Sequence, residues 1–282
     1  MNGAGDPFFA RNQDYWDQPA LLLFTNPPNA YASVSLISIG GPFGFNRDGN
    51  LPSLSNEAKT RLLFAPFFLS DGMNEWGFTI GDMAAPGSKA NSDSSKKTLF
   101  ESETKRYLLD HARNTEEAID LLTRINISYP MVQEPTHFLM ADPSGNSAVV
   151  EWNKGEMVVM RNENPWQVAT NHLISDAREH IKLCQAEYRA TGKVVDDING
   201  RSYLRYVTAW ETLQQKKGHL SSVEAMDLLS SISLAKSSEI LFKEILFTTQ
   251  WSVVYNMKTG DINVAMYRKY DQIHKYNLKL KQ

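Results

Sequence analysis

The chain has 282 residues, 42% of them apolar and 22% charged, which is ordinary for a globular protein. This length suits one layered domain better than two, and we expect a single domain over residues 1–282. The net charge of −3 argues against a nucleic-acid-binding surface and against an acidic-membrane surface. No apolar run approaches the roughly 20 residues that a membrane-spanning helix needs, so no membrane span is expected.

The single cysteine, Cys184, excludes an intrachain disulfide and fits a reducing, cytoplasmic compartment. It lies in a helical pattern without a neighbouring histidine, and we interpret it as a small apolar filler of the core. The first residues lack the basic start and apolar stretch of a signal peptide. The basic residues between 268 and 281 are interpreted as the solvated end of the last strand.

The first half of the chain is predicted to form short strands joined by turns. Apolar or β-branched runs bounded by Gly, Pro and Asn predict strands at 20–25, 31–39, 61–69 and 76–83. Segments rich in Gly, Ser, Asn and Pro are expected to be loops at 43–56 and 86–97.

The second half mixes helices with further strands. Apolar residues at helical spacing predict helices at 100–113, 115–125, 176–190, 202–216 and 223–231. Strands are predicted at 137–141, 147–152, 156–161, 167–170, 248–257 and 261–267. Asn114 with Glu117, and Ser221 with Glu224, have the spacing of capping boxes. Since the strands form meanders and the helices are grouped apart, the pattern favours α+β layers over alternating βαβ units.

Two charged residues, Arg11 and Asp14, follow an aromatic pair near the start of the chain. In a flat strand residue 11 faces one side and residue 14 the other, so a bend is needed for both to point at one site. The alternative is a surface ion pair, which contributes little to stability.

Two later segments carry groups that suit catalysis. A strand that ends in Thr-Asn-His can place the amide of Asn171 in a cleft, where a donor to an oxyanion is worth roughly 3 kcal/mol. Asn171 suits a turn equally well, and a lone histidine such as His172 is more often structural. Arg205 lies three residues after Ser202 near a helix start, where the alternative is an N-cap serine and a solvated arginine.

Seven segments across nearly the whole chain occur in a recognisable order: 9–14 (Phe-Ala-Arg-Asn-Gln-Asp), 71–77 (Asp-Gly-Met-Asn-Glu-Trp-Gly), 114–122, 137–151, 169–172, 202–206 and 249–255. Together they resemble the choloylglycine hydrolase family, which includes bile salt hydrolases and penicillin V acylases. The resemblance is stronger to the linear amide hydrolase and acyl-transferase branch of that superfamily.

The resemblance implies an α+β fold, the four-layer αββα sandwich of N-terminal-nucleophile hydrolases, with two antiparallel sheets between helices. It implies an acyl-enzyme mechanism on linear amide C–N bonds, in which the thiolate of an N-terminal cysteine attacks and its α-amino group is the base. An α-amino group has a pKa near 8 and accepts a proton at neutral pH. The partners implied are a small N-acyl amide substrate and further copies of the chain in a homo-oligomer, with no metal and no cofactor.

The resemblance also assigns roles to single residues. Arg11 lies beside the nucleophile and favours its thiolate, Asp14 orients the terminal amine, and Asn171 donates to the oxyanion. Arg205, or Arg201 close by in sequence, holds the polar network of the site. The two residues expected to contact the substrate are Asn74 and His172.

Two features depart from the family pattern. Bile salt hydrolases have a second asparagine where this chain has Ala84, with Asp82 nearby, so a bile-salt substrate does not follow from the resemblance. No cysteine precedes Arg11, and the family spacing places the nucleophile about five residues upstream of Met1, with the first strand truncated. The alternatives are an amidase or acyltransferase whose N-terminus precedes Met1, an inactive module that binds acyl amides, and a generic α+β domain outside this family. Export is undecided until the true start is known.

Overall fold

The computed structural model describes residues 5–41, 43–45, 54–90, 92–129, 135–195, 201–235, 241–242 and 245–281. Its helices are α1 (Asn56–Leu62), α2 (Glu101–His111), α3 (Thr115–Thr123), α4 (Ile174–Thr191), α5 (Ser202–Gln215) and α6 (Ser222–Ser231), with a 3-10 turn at Ala65–Phe67. Its strands are β1 (Phe8–Tyr15), β2 (Ala20–Thr25), β3 (Ser33–Ser38), β4 (Leu69–Asn74), β5 (Thr79–Ala84), β6 (Lys97–Phe100), β7 (Ile125–Ser128), β8 (Thr136–Ala141), β9 (Ser147–Asn153), β10 (Glu156–Arg161), β11 (Leu241–Phe242), β12 (Ile245–Leu246), β13 (Thr248–Asn256), β14 (Asp261–Met266) and β15 (Ile273–Asn277).

Two antiparallel sheets form the centre of the molecule. The four-stranded sheet has the order β1-β13-β14-β15, and the seven-stranded sheet has the order β10-β9-β8-β5-β4-β3-β2. Short pairs, β6 with β7 and β11 with β12, lie outside these sheets. Within the described ranges, every helix is too short or too polar to cross a bilayer.

The side chains of β13 show why the sheets stack. Trp251, Val253 and Tyr255 alternate along this strand and pack with Val34 and Met73 of the seven-stranded sheet. Since successive side chains point to opposite faces, the intervening Val254 packs on the other side of the sheet, against α6. Both faces of β13 are therefore covered, and every residue of the strand is buried.

The outer faces of both sheets are covered by helices. Leu108 and Leu109 of α2 and Ile119 of α3 pack on the seven-stranded sheet. Met226 and Leu229 of α6 pack on the four-stranded sheet. The order of layers is helices, seven-stranded sheet, four-stranded sheet, helix, which confirms the αββα fold class.

Most predicted elements are present, but the strand predicted at 61–69 is wrong. That segment contains the end of α1 and the 3-10 turn, and β4 begins only at Leu69. The Ser55 side chain caps α1 by accepting from the Ala58 amide, and Pro66 occupies the first turn of the 3-10 segment. Leu63 and Phe64 are 74% and 61% exposed, whereas Ala65 and Leu69 are buried, so the run does not have the burial of a core strand.

The strand predicted at 167–170 is also absent, because this segment is held by side chains rather than by a neighbouring strand. The segment 71–77, noted only for the resemblance, begins within β4. The strands that were not predicted include β6, β7, β11 and β12, which have at most four residues each, and β15, which is largely exposed. They also include β4, which is fully buried and follows the wrongly predicted segment. The capping box of Ser221 and Glu224 is confirmed. Asn114 accepts from the Glu117 amide, but the Glu117 carboxylate accepts from the Arg113 amide, one residue before the cap, so the second predicted box is incomplete.

Gly77 closes the turn between β4 and β5 in a backbone conformation that favours glycine, with φ at +76°. A Cβ atom at this position would lie 2.2 Å from the Met257 carbonyl oxygen, so the turn also fits closely against the end of β13. Gly192, which ends α4, has a similar φ of +71° but nothing within 4 Å of the added atom.

We expect Gly77→Ala to lower the free energy of unfolding by about 3 kcal/mol, because backbone strain and overpacking act together. Gly192→Ala is the matched control. It should lower the free energy of unfolding by only about 1 kcal/mol, because backbone strain acts there alone. Urea denaturation of both variants checks this. Equal costs would show that contact with Met257 is not a constraint on the turn.

Candidate functional site

A cavity of about 1080 Å³ runs along β1, the edge strand of the four-stranded sheet. One side of β1 pairs with β13, and every residue from Pro7 to Trp16 borders the cavity. The cavity also reaches the segment that precedes α4, the first half of α5 and the start of α2. An open strand edge thus forms one wall of this cavity.

The pairing of β1 with β13 is irregular between Arg11 and Asp14. Gln13 lies opposite Trp251 and Asp14 lies opposite Thr249, so the extra residue belongs to β13 and not to β1. Arg11 and Asp14 both border the cavity because it follows the edge of β1 from Pro7 to Trp16.

Arg205 joins Asp14 to Asn171. Its Nη1 donates to Asp14 Oδ2 at 3.1 Å and its Nη2 donates to Asn171 Oδ1 at 2.7 Å. A guanidinium can only donate, so the oxygen of Asn171 faces Arg205 and the amide NH2 is turned away from it. Arg201, the alternative arginine, is exposed at the start of α5, whereas Arg205 lines the cavity.

The carboxylate of Asp14 is oriented from two sides. Thr249 Oγ1 donates to Asp14 Oδ1 at 2.6 Å, and the same hydroxyl accepts from the Leu234 amide at 2.8 Å. Arg205 holds the other carboxylate oxygen. Each carboxylate oxygen can accept a further hydrogen bond, so Asp14 has capacity for another donor.

Arg11 is held by a buried carboxylate that sequence reasoning did not single out. Its Nη1 donates to Asp71 Oδ2 at 2.7 Å, and Asp71 is fully buried. Trp251 Nε1 donates to the same oxygen at 3.1 Å, and Tyr255 Oη donates to the other at 2.5 Å. Burial, together with the Asp71 charge, raises the pKa of Tyr255 well above its usual value, so the phenol stays a donor. These residues lie in segments 71–77 and 249–255, which were noted only for their resemblance.

A second charged cluster was missed entirely. Lys105 Nζ lies 2.8 Å from Asp82 Oδ2 and 2.6 Å from Glu101 Oε1, and the three side chains line the cavity. Burial alone would raise the pKa of Asp82, but Lys105 and Arg11 hold it below its usual value. In sequence, Glu101 and Lys105 form an ordinary (i, i+4) helix pair, which is typical of a solvated surface.

The structure places Asn74 and His172, the expected substrate contacts, outside the cavity lining. Asn74 is fully buried: its Nδ2 donates to two carbonyls at the end of α2, and its Oδ1 accepts from two amides of the β4–β5 turn. His172 is buried against Tyr203 and is 2.8 Å from Ser202 Oγ. Burial, with help from the nearby His137, lowers the pKa of His172 to about 3, so its ring is neutral. Both side chains connect elements of the fold.

His137 and Glu151 fix the segment that carries Asn171. His137 Nε2 is 2.8 Å from the Thr170 carbonyl oxygen, and its Nδ1 is 2.8 Å from Glu151 Oε1. Glu151 in turn accepts from the amides of Ile174 and Ser175 at the start of α4. The backbone on both sides of Asn171 is thereby tied to strands β8 and β9. Burial would raise the pKa of Glu151, but the hydrogen bond from His137 holds it below its usual value.

We expect Glu151→Gln to lower the free energy of unfolding by about 2–4 kcal/mol at neutral pH, since it breaks a buried polar network. A folded-state pKa below the unfolded value stabilises above the unfolded pKa, and this contribution is lost as pH falls through the folded one. The difference from wild type should therefore shrink below about pH 4. Denaturation at several pH values checks this.

Glu116→Gln is the control, because Glu116 forms an exposed ion pair with Arg161. Loss of this ion pair should lower the free energy of unfolding by less than about 1 kcal/mol. If the two variants lose equal stability, the buried pair does not anchor the segment.

The chain is similar to a known protein family and to several solved structures. The model of the family described as acyl-coenzyme A:6-aminopenicillanic acid acyl-transferase matches residues 65–275. No curated protein matches the sequence. Among solved structures, a mutant of conjugated bile acid hydrolase from Clostridium perfringens is similar with a TM-score of 0.71 and 16% identity, covering 98% of this chain and 90% of that one. Penicillin V acylase from Agrobacterium tumefaciens is similar with a TM-score of 0.66 and 20% identity, covering 97% and 83%.

These likenesses agree with the fold built from the two sheets and their helices, and the family match covers well over half of the chain. They confirm the resemblance to the choloylglycine hydrolase superfamily of amide hydrolases and acyl-transferases. The chain belongs to the acyl-coenzyme A:6-aminopenicillanic acid acyl-transferase family.

Proposed function

We propose that this protein cleaves linear amide C–N bonds through an acyl-enzyme, with an N-terminal cysteine that precedes Met1 as the nucleophile. The observation that carries the proposal is the joint position of Arg11, Asp14, Asn171 and Arg205 on one cavity. The position expected for the nucleophile lies outside the described residues.

The open edge of β1 is where such a cysteine would enter. A segment that pairs with this edge lies beside Arg11 and Asp14, since both line the cavity along it. Asp14 has capacity to accept from the terminal amine, and Arg11 favours the thiolate form of a neighbouring thiol. The α-amino group then takes the thiol proton.

The reaction balances as follows. The sulfur attacks the amide carbon, and the carbonyl oxygen becomes an oxyanion that accepts from the Asn171 NH2 group. The C–N bond breaks as the protonated α-amino group gives its proton to the leaving amine. Water then attacks the thioester and releases the carboxylic acid, or a second amine attacks and a new amide forms.

The acyl group is proposed to be apolar. The cavity wall formed by α5, α6 and the segment after α6 consists of aliphatic side chains: Leu213, Leu220, Leu228, Leu229, Ile232 and Leu234. Burial of such surface stabilises an apolar acyl chain by about 25 cal/mol per Å². The proposed substrate is therefore a small N-acyl amide.

Two other functions have an observation in their favour. Transfer to an acceptor amine is favoured by the description of the matched family. A binding module without catalysis is favoured by the position of Cys184, which is buried in α4 and does not line the cavity. Among the described residues that line the cavity, none is a cysteine.

The full gene product tests the nucleophile. We expect an N-terminal cysteine in it, hydrolysis of N-acyl amides, and inactivation by iodoacetamide with alkylation of that residue in the peptide mass spectrum. An added acceptor amine that diverts the acyl group into a new amide would identify the acyl-transferase. A product that begins at Met1 and binds amides without turnover would identify the binding module.

Substitutions in the same full-length product test the site. We expect Asn171→Ala to lower kcat by roughly 10²–10³-fold, because one oxyanion donor is lost. Arg205→Gln should lower kcat/KM by at least roughly tenfold, since Asn171 and Asp14 lose their common partner. Arg201→Gln is the matched control on the same helix and should leave both constants unchanged. A larger loss at Arg201 than at Arg205 would contradict the assignment.

A further inference from the structure

Resting on the proposed function, we propose that the end of the cavity beneath α2 binds a protonated amine carried by the substrate. This region, which we name the α2 end, is lined by Asp82, Glu101, Lys105 and Thr136. None of the residues assigned to the acyl-enzyme chemistry belongs to it, although Arg11 borders it through a hydrogen bond to the Asp82 carbonyl oxygen at 2.6 Å.

The charges at the α2 end leave negative charge in excess. Lys105 is shared between the carboxylates of Asp82 and Glu101. The next cation, Arg11, makes its shortest ion pair with the buried Asp71. Two cations, Lys105 and Arg11, thus compensate the three carboxylates of Asp71, Asp82 and Glu101, which are largely shielded from water. Burial raises the pKa of Glu101 above its usual value although Lys105 lowers it, and the nearby Asp82 charge adds to the rise. A further cation at this place would favour the ionised form of Glu101.

A hydroxyl without a partner points to a ligand at the same place. Thr136 is 6% exposed, lines the cavity, and its Oγ1 makes no hydrogen bond within the described residues. Thr136 pairs with Ala84 across the strands, and Asp82 lies two residues from Ala84, so both side chains project from one face of the sheet. An unsatisfied buried hydroxyl costs about 1–3 kcal/mol, which a ligand could recover by donating to it.

These groups favour a cation over an anion. An ammonium has three donors, and the α2 end offers acceptors in the Glu101 carboxylate and the Thr136 hydroxyl. An incoming anion would find Lys105 and Arg11 already bound to carboxylates and would add to the excess charge. The small side chain of Ala84 between Asp82 and Thr136 takes little of the space above the sheet. Within the described residues, no group of three or more His, Cys, Asp or Glu side chains is arranged to hold a metal ion.

Calorimetric titration of the chain 1–282 with three matched amides tests the inference. The amides are N-acetylputrescine, which carries an ammonium, the neutral N-butylacetamide, and the anionic N-acetyl-γ-aminobutyrate. We expect N-acetylputrescine to bind roughly tenfold more tightly than N-butylacetamide, and the anion to bind more weakly than either. Glu101→Gln should remove the preference by weakening only the cationic amide.

Glu103→Gln is the control on the same helix, since Glu103 does not line the cavity and glutamine retains an acceptor for the Phe100 amide. It should leave all three affinities unchanged. If Glu101→Gln does not fold, Thr136→Val serves instead, because it removes an unpartnered hydroxyl at little cost in stability. It should lower the affinity for N-acetylputrescine more than for N-butylacetamide. Equal affinities for the three amides, or tightest binding of the anion, overturn the inference.

The binding measurement separates this inference from the proposed function, because the chain 1–282 is used without turnover. If the full-length form hydrolyses amides but the chain shows no preference for the ammonium, only the inference about the α2 end is contradicted. If the chain prefers the ammonium but the full-length product shows no turnover, only the proposed amidase function is contradicted.

Discussion

The arrangement of the site depends on one buried carboxylate, that of Asp71. It lies on β4 of the seven-stranded sheet, and its partners Arg11, Trp251 and Tyr255 lie on β1 and β13 of the other sheet. A buried charge is tolerated only where opposite charge and hydrogen bonds compensate it, so these three side chains are constrained together. The same contacts therefore set the spacing of the sheets and the direction in which Arg11 points.

From this anchor the site extends along the edge of β1. Arg11 and Asp14 both border the cavity along this edge, and Arg205 links Asp14 to Asn171. Asp14, Asn171 and Arg205 belong to three different segments, each with its own support, such as the hydrogen bond between His137 and the Thr170 carbonyl before Asn171. An edge strand is a suitable place for such a site, because its unpaired backbone groups can receive a further segment of chain.

Much of this organisation could be predicted from the sequence, and the failures have physical causes. Helices such as α5 and α6 have clear periodicity, and the capping box at Ser221 marks the start of α6. The apolar run that includes Leu63 and Phe64 was taken for a strand because its exposure is not visible in sequence. Glu101 and Lys105 were overlooked for the converse reason: an (i, i+4) pair has the same pattern whether it faces water or a cavity.

The contrast between Asn74 and Asp14 shows what separates structural from chemical polar groups here. Both are polar side chains of strands, and both were expected at the site. Asn74 donates twice and accepts twice within the fold, which uses the full capacity of an amide, so it can offer a substrate nothing without breaking the β4–β5 turn. Asp14 is oriented by Thr249 and Arg205 yet keeps lone pairs for another donor. Unused hydrogen-bonding capacity on a firmly held side chain, rather than polarity or burial, is therefore the feature that marks a candidate for chemistry in this cavity.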